Sequence, residues 1–289
     1  MTTALPHSYR LRLALATLAL VLLALAGCAA LDEKQREWIF QPSSRTWAGA
    51  ALAAEGMSDV WITYTPVDAT EPVKLHALWL AQPYADAPVL LYLHGARWDV
   101  RSSAQRMRRM HDLGFSVLGI DYRGFGQSTA ALPSEASAHE DALATWHWLA
   151  AQNPQAKRYL FGHSLGAAIA VSVAGVVDDA AGVIVEGGFT SMADVVRTTK
   201  WGWLPVAPLI TQRFDAGSQV ERIKAPLLVV HGSQDQLIQP TLGRALYERA
   251  HAPKRFLLVE GGTHHDTNAV GHDAYRHAVA ELFGVGLMN

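Results

Sequence analysis

The sequence predicts an α/β protein built on a mostly parallel, doubly wound sheet of eight strands with helices on both faces. Three observations carry this prediction. From position 60 onward, short β-rich runs alternate with segments of helical length. Several runs are continuously apolar, as in Val89-Leu90-Leu91-Tyr92-Leu93, which is how a strand buried on both faces reads. The residues able to do chemistry fall at the ends of predicted strands, where open α/β sheets gather their ligands.

Strands are expected at 60–64, 74–81, 89–94, 116–120, 158–161, 183–186, 227–231 and 256–260, and helices at 102–113, 137–152, 164–177, 191–200, 241–251 and 267–283. The stretch 187–225 contains Trp201-Gly202-Trp203-Leu204-Pro205 and Pro208-Leu209-Ile210. Such apolar, proline-broken text suits a short lid-like insertion or an ordinary connection, and it is too short for a domain of its own. Of the 289 residues 50% are hydrophobic and 17% charged, enough to fill a large core and contrary to disorder. The net charge of -2, with no run of one sign, excludes an electrostatic footprint for nucleic acid. Arg101, Arg106, Arg108 and Arg109 are expected to form the solvated face of one helix.

The N-terminus carries His7, Arg10 and Arg12, then an apolar run over 13–26, then small residues closing on Cys28. A charged start, an apolar middle and a small-residue cut site make a secretory signal. Cys28 is the one cysteine, so no disulfide forms within the chain. Leu25-Ala26-Gly27-Cys28 resembles the lipobox of bacterial lipoproteins. That resemblance implies removal of residues 1–27 and lipidation of Cys28. Mixed charges, Pro42 and small residues from Leu31 to Met57 read as a tether plus an irregular or helical entry, so 28–57 is expected as the tether or entry segment and 58–289 as the main domain. Residues 29–31 do not resemble an inner-membrane retention signal, which implies the periplasmic face of an outer membrane. An uncleaved membrane anchor and an ordinary secretory signal are the alternatives.

Gly162-His163-Ser164-Leu165-Gly166 follows a predicted strand and opens a predicted helix. Gly-x-Ser-x-Gly in that setting is a nucleophile elbow: the turn strains the serine backbone, and side chains at the flanking glycines would collide with strand and helix. His163 is expected to pack or hydrogen-bond beneath the site. A serine hydroxyl needs a base, and the base needs an orienting acid. Asp235, in His231-Gly232-Ser233-Gln234-Asp235, follows one strand, with Glu186 as the rival acid. Gly261-Gly262-Thr263-His264-His265-Asp266 follows the last strand and offers two histidines, His264 and His265; Asp266 reads as a helix cap. Acyl transfer also needs N–H donors for an oxyanion. Leu165, after the serine, and Ala96, in Leu93-His94-Gly95-Ala96-Arg97-Trp98, are the candidates. His94 is expected to be structural, and Asp121 and Arg123 to pair with one another.

His94-Gly95, Asp121-Tyr122-Arg123-Gly124-Phe125-Gly126-Gln127-Ser128, Gly162-His163-Ser164-Leu165-Gly166, Asp235 and Gly262-Thr263-His264 stand in the order of the α/β-hydrolase superfamily. Over roughly 60–283 the chain resembles its minimal-cap branch of esterases, lipases and serine aminopeptidase-like members. In that branch the catalytic histidine follows a Gly-x pair, which implies His264 rather than His265. The resemblance implies a serine hydrolase of carboxylic esters acting through Ser164, Asp235 and His264, on a small acyl substrate, without metal or organic cofactor. A peptidase, thioesterase or acyltransferase could use the same residues, and a non-catalytic envelope lipoprotein is the reading from another class. Where relatives often carry Gly-Asn after the third strand, this chain reads Gly95-Ala96-Arg97. A serine at the elbow argues against haloalkane dehalogenation, which needs a carboxylate nucleophile.

Overall fold

The computed structural model describes residues 7–200, 202–251 and 253–286; the first six residues of the expected signal and Trp201 of the insertion lie outside them. Among the described residues one sheet has eight strands: β1 (Ser58–Tyr64), β2 (Val73–Leu80), β3 (Val89–Leu93), β4 (Ser116–Ile120), β5 (Arg158–His163), β6 (Ala180–Glu186), β7 (Leu227–Gly232) and β8 (Lys254–Val259). Their order is β1-β2-β4-β3-β5-β6-β7-β8, with β1 and β2 antiparallel to their neighbours and the rest parallel. Each predicted strand is present, with ends shifted by a few residues.

The helices are α1 (His7–Phe40), α2 (Ala50–Ala53), α3 (Ala104–Asp112), α4 (Glu135–Gln152), α5 (Leu165–Ala174), α6 (Met192–Arg197), α7 (Ala216–Gln219), α8 (Pro240–Arg249), α9 (Thr267–Val270) and α10 (His272–Phe283). Alternate residues of one strand feed two cores, as the period of two requires. Leu91 and Leu93 of β3 join Trp146 of α4 and Ile169 of α5 on one face. Leu90 and Tyr92 join Met107 of α3 and Tyr275 of α10 on the other. The strand order reverses at β3, whose neighbours are β4 on one side and β5 on the other. The chain leaving β3 packs its helix α3 on one face and the chain leaving β5 packs α5 on the other, so the loops after these two strands diverge at the position such sheets use for ligands.

Four expectations are corrected. The basic cluster is not a solvated face: Arg101 pairs with Asp59, Arg106 with Glu186, Arg108 donates to the Ala53 and Glu55 carbonyls, and Arg109 to Asn268. Each guanidinium finds a partner on an element distant in sequence, which charge counting does not reveal. Asp121 and Arg123 are both structural but do not pair. Asp121 accepts from the Val100 N–H and contacts His76, whereas Arg123 binds Asp141 and Glu140. Asp266 stands at the start of α9, yet its carboxylate closes the turn at Thr263 instead of capping the helix. The single helix expected over 267–283 breaks at Gly271 into α9 and α10.

The entry segment is helical to Phe40 and docks on the body. Gln35 donates to the Leu209 carbonyl at 2.7 Å and Arg36 to the Pro133 carbonyl at 2.9 Å. Gln212 donates to Asp32 at 2.8 Å. Phe40 is fully buried, with ring centroids 5.7 Å from Phe214 and 6.4 Å from Phe125. Before this docked part, Leu15 to Leu25 leave large apolar side chains exposed, and Cys28 is exposed.

Candidate active site

The loop between β5 and α5 forces Ser164 into φ 56° and ψ −120°, a conformation few side chains adopt. The neighbouring glycines make the turn possible. A Cβ at Gly162 would lie 2.2 Å from the Gly166 carbonyl oxygen, and one at Gly166 2.1 Å from that of Leu93. Strand β3 thus packs against the start of α5 with no space for a methyl group. The Ser164 N–H donates to the Glu186 carbonyl at 2.9 Å, tying the turn to the end of β6.

Ser164, His264 and Asp235, a hundred residues apart at the extremes, meet above this sheet edge. His264 Nε2 lies 2.9 Å from Ser164 Oγ, and its Nδ1 lies 2.7 Å from Asp235 Oδ2. An ionised carboxylate takes the Nδ1–H, which leaves Nε2 to accept from the serine hydroxyl. Burial alone would raise the Asp235 carboxyl, but hydrogen bonds from His231 and His264 outweigh it and hold it well below the usual carboxylate range. The Leu237 and Ile238 N–H groups donate to its other oxygen at 3.0 and 2.9 Å. Asp235 is therefore a fixed anion facing one side of the imidazole.

His265 is exposed, its ring edge-on to His264 at 5.3 Å. Glu186, the rival acid, is instead bound to Arg106 and to the Tyr275 hydroxyl. His163 is buried; burial and the Arg106 charge push its pKa well down, and its Nε2–H donates to the His264 carbonyl at 2.9 Å. His94 is buried too, with Nδ1–H donating to the Gly95 carbonyl at 2.6 Å and its main-chain carbonyl accepting from Tyr122.

The loop after β3 runs beside the serine. A Cβ at Gly95 would come 3.1 Å from Ser164 Cβ, so main chain rather than side chain faces the nucleophile there. Ala96 follows, and among the described residues its N–H makes no hydrogen bond. Arg97 and Trp98 then take positive φ values of 66° and 56°. The Phe40 carbonyl holds that strained turn through the Arg97 N–H at 2.9 Å. Arg97 itself is exposed. Leu165 opens α5, whose N-terminus favours negative charge beside the serine.

Sequence reasoning missed Gly187. With φ +59°, it lies so close to the site that a Cβ would sit 3.3 Å from the His264 ring and 3.7 Å from Asp235 Oδ2. Its only signal was a glycine pair directly after a strand end. In the insertion, Trp203 and Leu209 are exposed, while Phe189, Thr190 and Phe214 are buried. Among the described residues, no group of three or more His, Cys, Asp or Glu side chains is arranged to hold a metal ion.

Comparison with known proteins bears on the family and the fold. The profile of the family described as Serine aminopeptidase, S33 matches residues 85–216 and 206–268. An uncharacterized protein of Mycobacterium tuberculosis is 31% identical over 257 residues, spanning 88% of this chain and 89% of that protein. The lysophosphatidylserine lipase ABHD12 of Danio rerio is 28% identical over 217 residues, and the match covers 68% of this chain but 56% of the lipase. A crystallised esterase of Pyrococcus furiosus shares the fold with a TM-score of 0.67 at 20% identity, over 85% of this chain and 97% of that one. The chain is a serine hydrolase of the α/β-hydrolase fold and belongs to the Serine aminopeptidase, S33 family.

Proposed function

We propose that this chain hydrolyses carboxylic esters through an acyl-enzyme, with Ser164 as nucleophile, His264 as base and Asp235 as the group that orients it. The carrying observation is the unbroken series Ser164 Oγ–His264–Asp235, at 2.9 and 2.7 Å. Ser164 Oγ attacks the carbonyl carbon while its proton passes to His264 Nε2. The N–H groups of Ala96 and Leu165 stabilise the oxyanion. His264 returns the proton to the departing alcohol, then takes one from the water that releases the acid and restores the serine. Asp235 stays ionised throughout and stabilises the imidazolium.

Lipid-like acyl esters are the favoured substrates, since ABHD12 relatives are named as lysophosphatidylserine lipases. The description of the matched family as serine aminopeptidases favours a second reading, cleavage of aminoacyl amides by the same residues. Rates on graded acyl esters set against aminoacyl amides separate the two. A fluorophosphonate probe should label the purified chain and fail on Ser164→Ala; equal labelling of that variant overturns the assignment.

We also infer an envelope lipoprotein. Residues 1–27 act as signal, Cys28 carries the lipid, 28–57 form the entry segment, 58–289 the hydrolase domain and 187–225 a short insertion beside the site. The outer membrane is the expected address. Support comes from the Leu25-Ala26-Gly27-Cys28 run and from the exposed apolar surface of α1 that precedes it. Cys28→Ala should release the protein from membranes, and unchanged retention refutes lipidation there.

A further inference from the structure

The mechanism above employs neither Arg106 nor the side chain of Glu186, yet these two form an ion pair directly behind the site. Arg106 Nε donates to Glu186 Oε1 at 2.8 Å, with the two side chains 12% and 1% exposed. Removing two charges from water is costly, and a hydrophobic pair of similar volume often serves stability as well. The remaining bonds of the pair indicate its use. Arg106 Nη2 donates to the His265 carbonyl at 2.9 Å, one residue past His264. The Tyr275 hydroxyl on α10 donates to the second oxygen of Glu186 and fixes the carboxylate. The main-chain carbonyl of Glu186 accepts the Ser164 N–H at 2.9 Å. Glu186 therefore reaches the serine through its backbone and the histidine loop through Arg106.

The histidine loop needs such support. Residues 260–266, between β8 and α9, are turns without a regular ladder. Two successive carbonyls of this loop are held from below, that of His264 by His163 and that of His265 by Arg106. Arginine suits the task because its planar fork reaches a carboxylate and a carbonyl at once, whereas lysine offers one nitrogen. Helix α3, which carries Arg106, also follows the loop bearing Ala96. One side chain thus links α3, the end of β6 and the histidine loop.

We infer that the Arg106–Glu186 pair is a positioning device that fixes the approach of His264 to Ser164 by holding the main chain of the histidine loop. The inference rests on the proposed roles of Ser164 and His264. Its consequence is kinetic: a misplaced imidazole activates the serine poorly, while binding of the acyl group is untouched.

The test compares hydrolysis of p-nitrophenyl butyrate and the rate of fluorophosphonate labelling across full-length variants. Arg106→Met should lower kcat and the labelling rate by about ten- to a hundredfold, with KM within about threefold of the parent. Arg106→Lys should fall between parent and Arg106→Met. Adding Glu186→Gln to Arg106→Met should cost little more than the worse single change. Arg123→Met, which breaks the Arg123–Asp141 pair and touches neither loop, is the control for general destabilisation. Loss of kcat in the Arg106 series beyond that of the control supports the inference. A folded Arg106→Met with kcat within twofold of the parent overturns it, as does an equal loss in Arg123→Met or a rise in KM alone. If Arg106→Met does not fold, Arg106→Lys and Glu186→Gln are judged by the same criteria. Turnover surviving in Ser164→Ala overturns the site assignment together with this inference. An inactive Ser164→Ala beside an unimpaired Arg106 series overturns this inference only.

Discussion

A methyl group at position 187 would crowd the imidazole of His264. Gly187 holds φ +59°, which strains any L side chain, and its Cβ would press on the His264 ring at 3.3 Å. Gly187→Ala should therefore lower kcat by about tenfold or more, with a melting temperature reduced by only a few degrees. Steady-state kinetics beside a thermal melt checks this, and unchanged kcat would show that the ring has room to shift. Asp235 gives a residue-scale prediction in pH. Its carboxyl is held below the usual range because bonds from His231 and His264 outweigh burial. Its stabilisation is then complete above the ordinary carboxylate pKa of about 3.9 and is lost as pH falls through the depressed folded value. The stability gap between the parent and Asp235→Asn should shrink as pH drops from about 5 toward 2. Denaturant melts at several pH values measure that gap, and a constant gap would refute the depressed pKa. At this scale Ser164 was legible because its motif is local, five residues between a strand and a helix. Gly187 and Arg106 were not, because each owes its importance to a partner far along the chain. Spacing alone could not choose between His264 and His265; only the fold turns one of them inward.

At the scale of elements, the antiparallel edge of the sheet is stapled by charge. His76 of β2 is buried between Asp121, 3.0 Å from its Nδ1, and Asp59 of β1, 2.7 Å from its Nε2. Arg101 also reaches Asp59, and the Val100 N–H donates to Asp121, so the staple extends into the turn before α3. Burial by itself would lower the His76 pKa, but the two aspartates outweigh it and the net shift is upward. A raised folded pKa contributes stability below the unfolded histidine value of about 6.5, and that contribution is lost as pH climbs through the folded value. The parent should accordingly lose stability relative to His76→Gln as pH rises from about 6 upward. Parallel melts of the two proteins decide the matter, and a gap that widens with pH would reverse the sign assigned here. The inner strands β3 to β7 were legible because buried parallel strands announce themselves as apolar runs. Helix boundaries were less so. The break at Gly271 between α9 and α10 lies inside one helical-length stretch, and there a Cβ would come 2.6 Å from Val259. Close approach to β8, invisible in periodicity, is what requires glycine at that point.

Over the whole molecule, the segment expected as a tether or entry docks closely on the hydrolase body. Its polar, proline-containing text gave no hint of this, because its bonds run to residues about a hundred or more positions away, such as Asp32 to Gln212 and Arg36 to Pro133. Phe40 fills a core site, and its carbonyl steadies the turn at Arg97 beside Ala96. The Ser43 and Arg45 carbonyls likewise accept from the Gly126 and Asp99 N–H groups. Cys28 precedes Asp32 by four residues of one helix, about 6 Å along its axis. A lipid at Cys28 would consequently hold the body close to the membrane instead of on a long leash. Two truncations separate anchor from structure. A chain starting at Leu31 should keep the parent melting temperature and full fluorophosphonate labelling. A chain starting at Ala48 loses Phe40, worth about 3–5 kcal/mol by analogy with other buried aromatic truncations, and frees the loop that carries Ala96. It should melt well below the first and label more slowly even where it remains folded. Equal melts and equal labelling would show that residues 31–47 are a passive connection, whatever they touch.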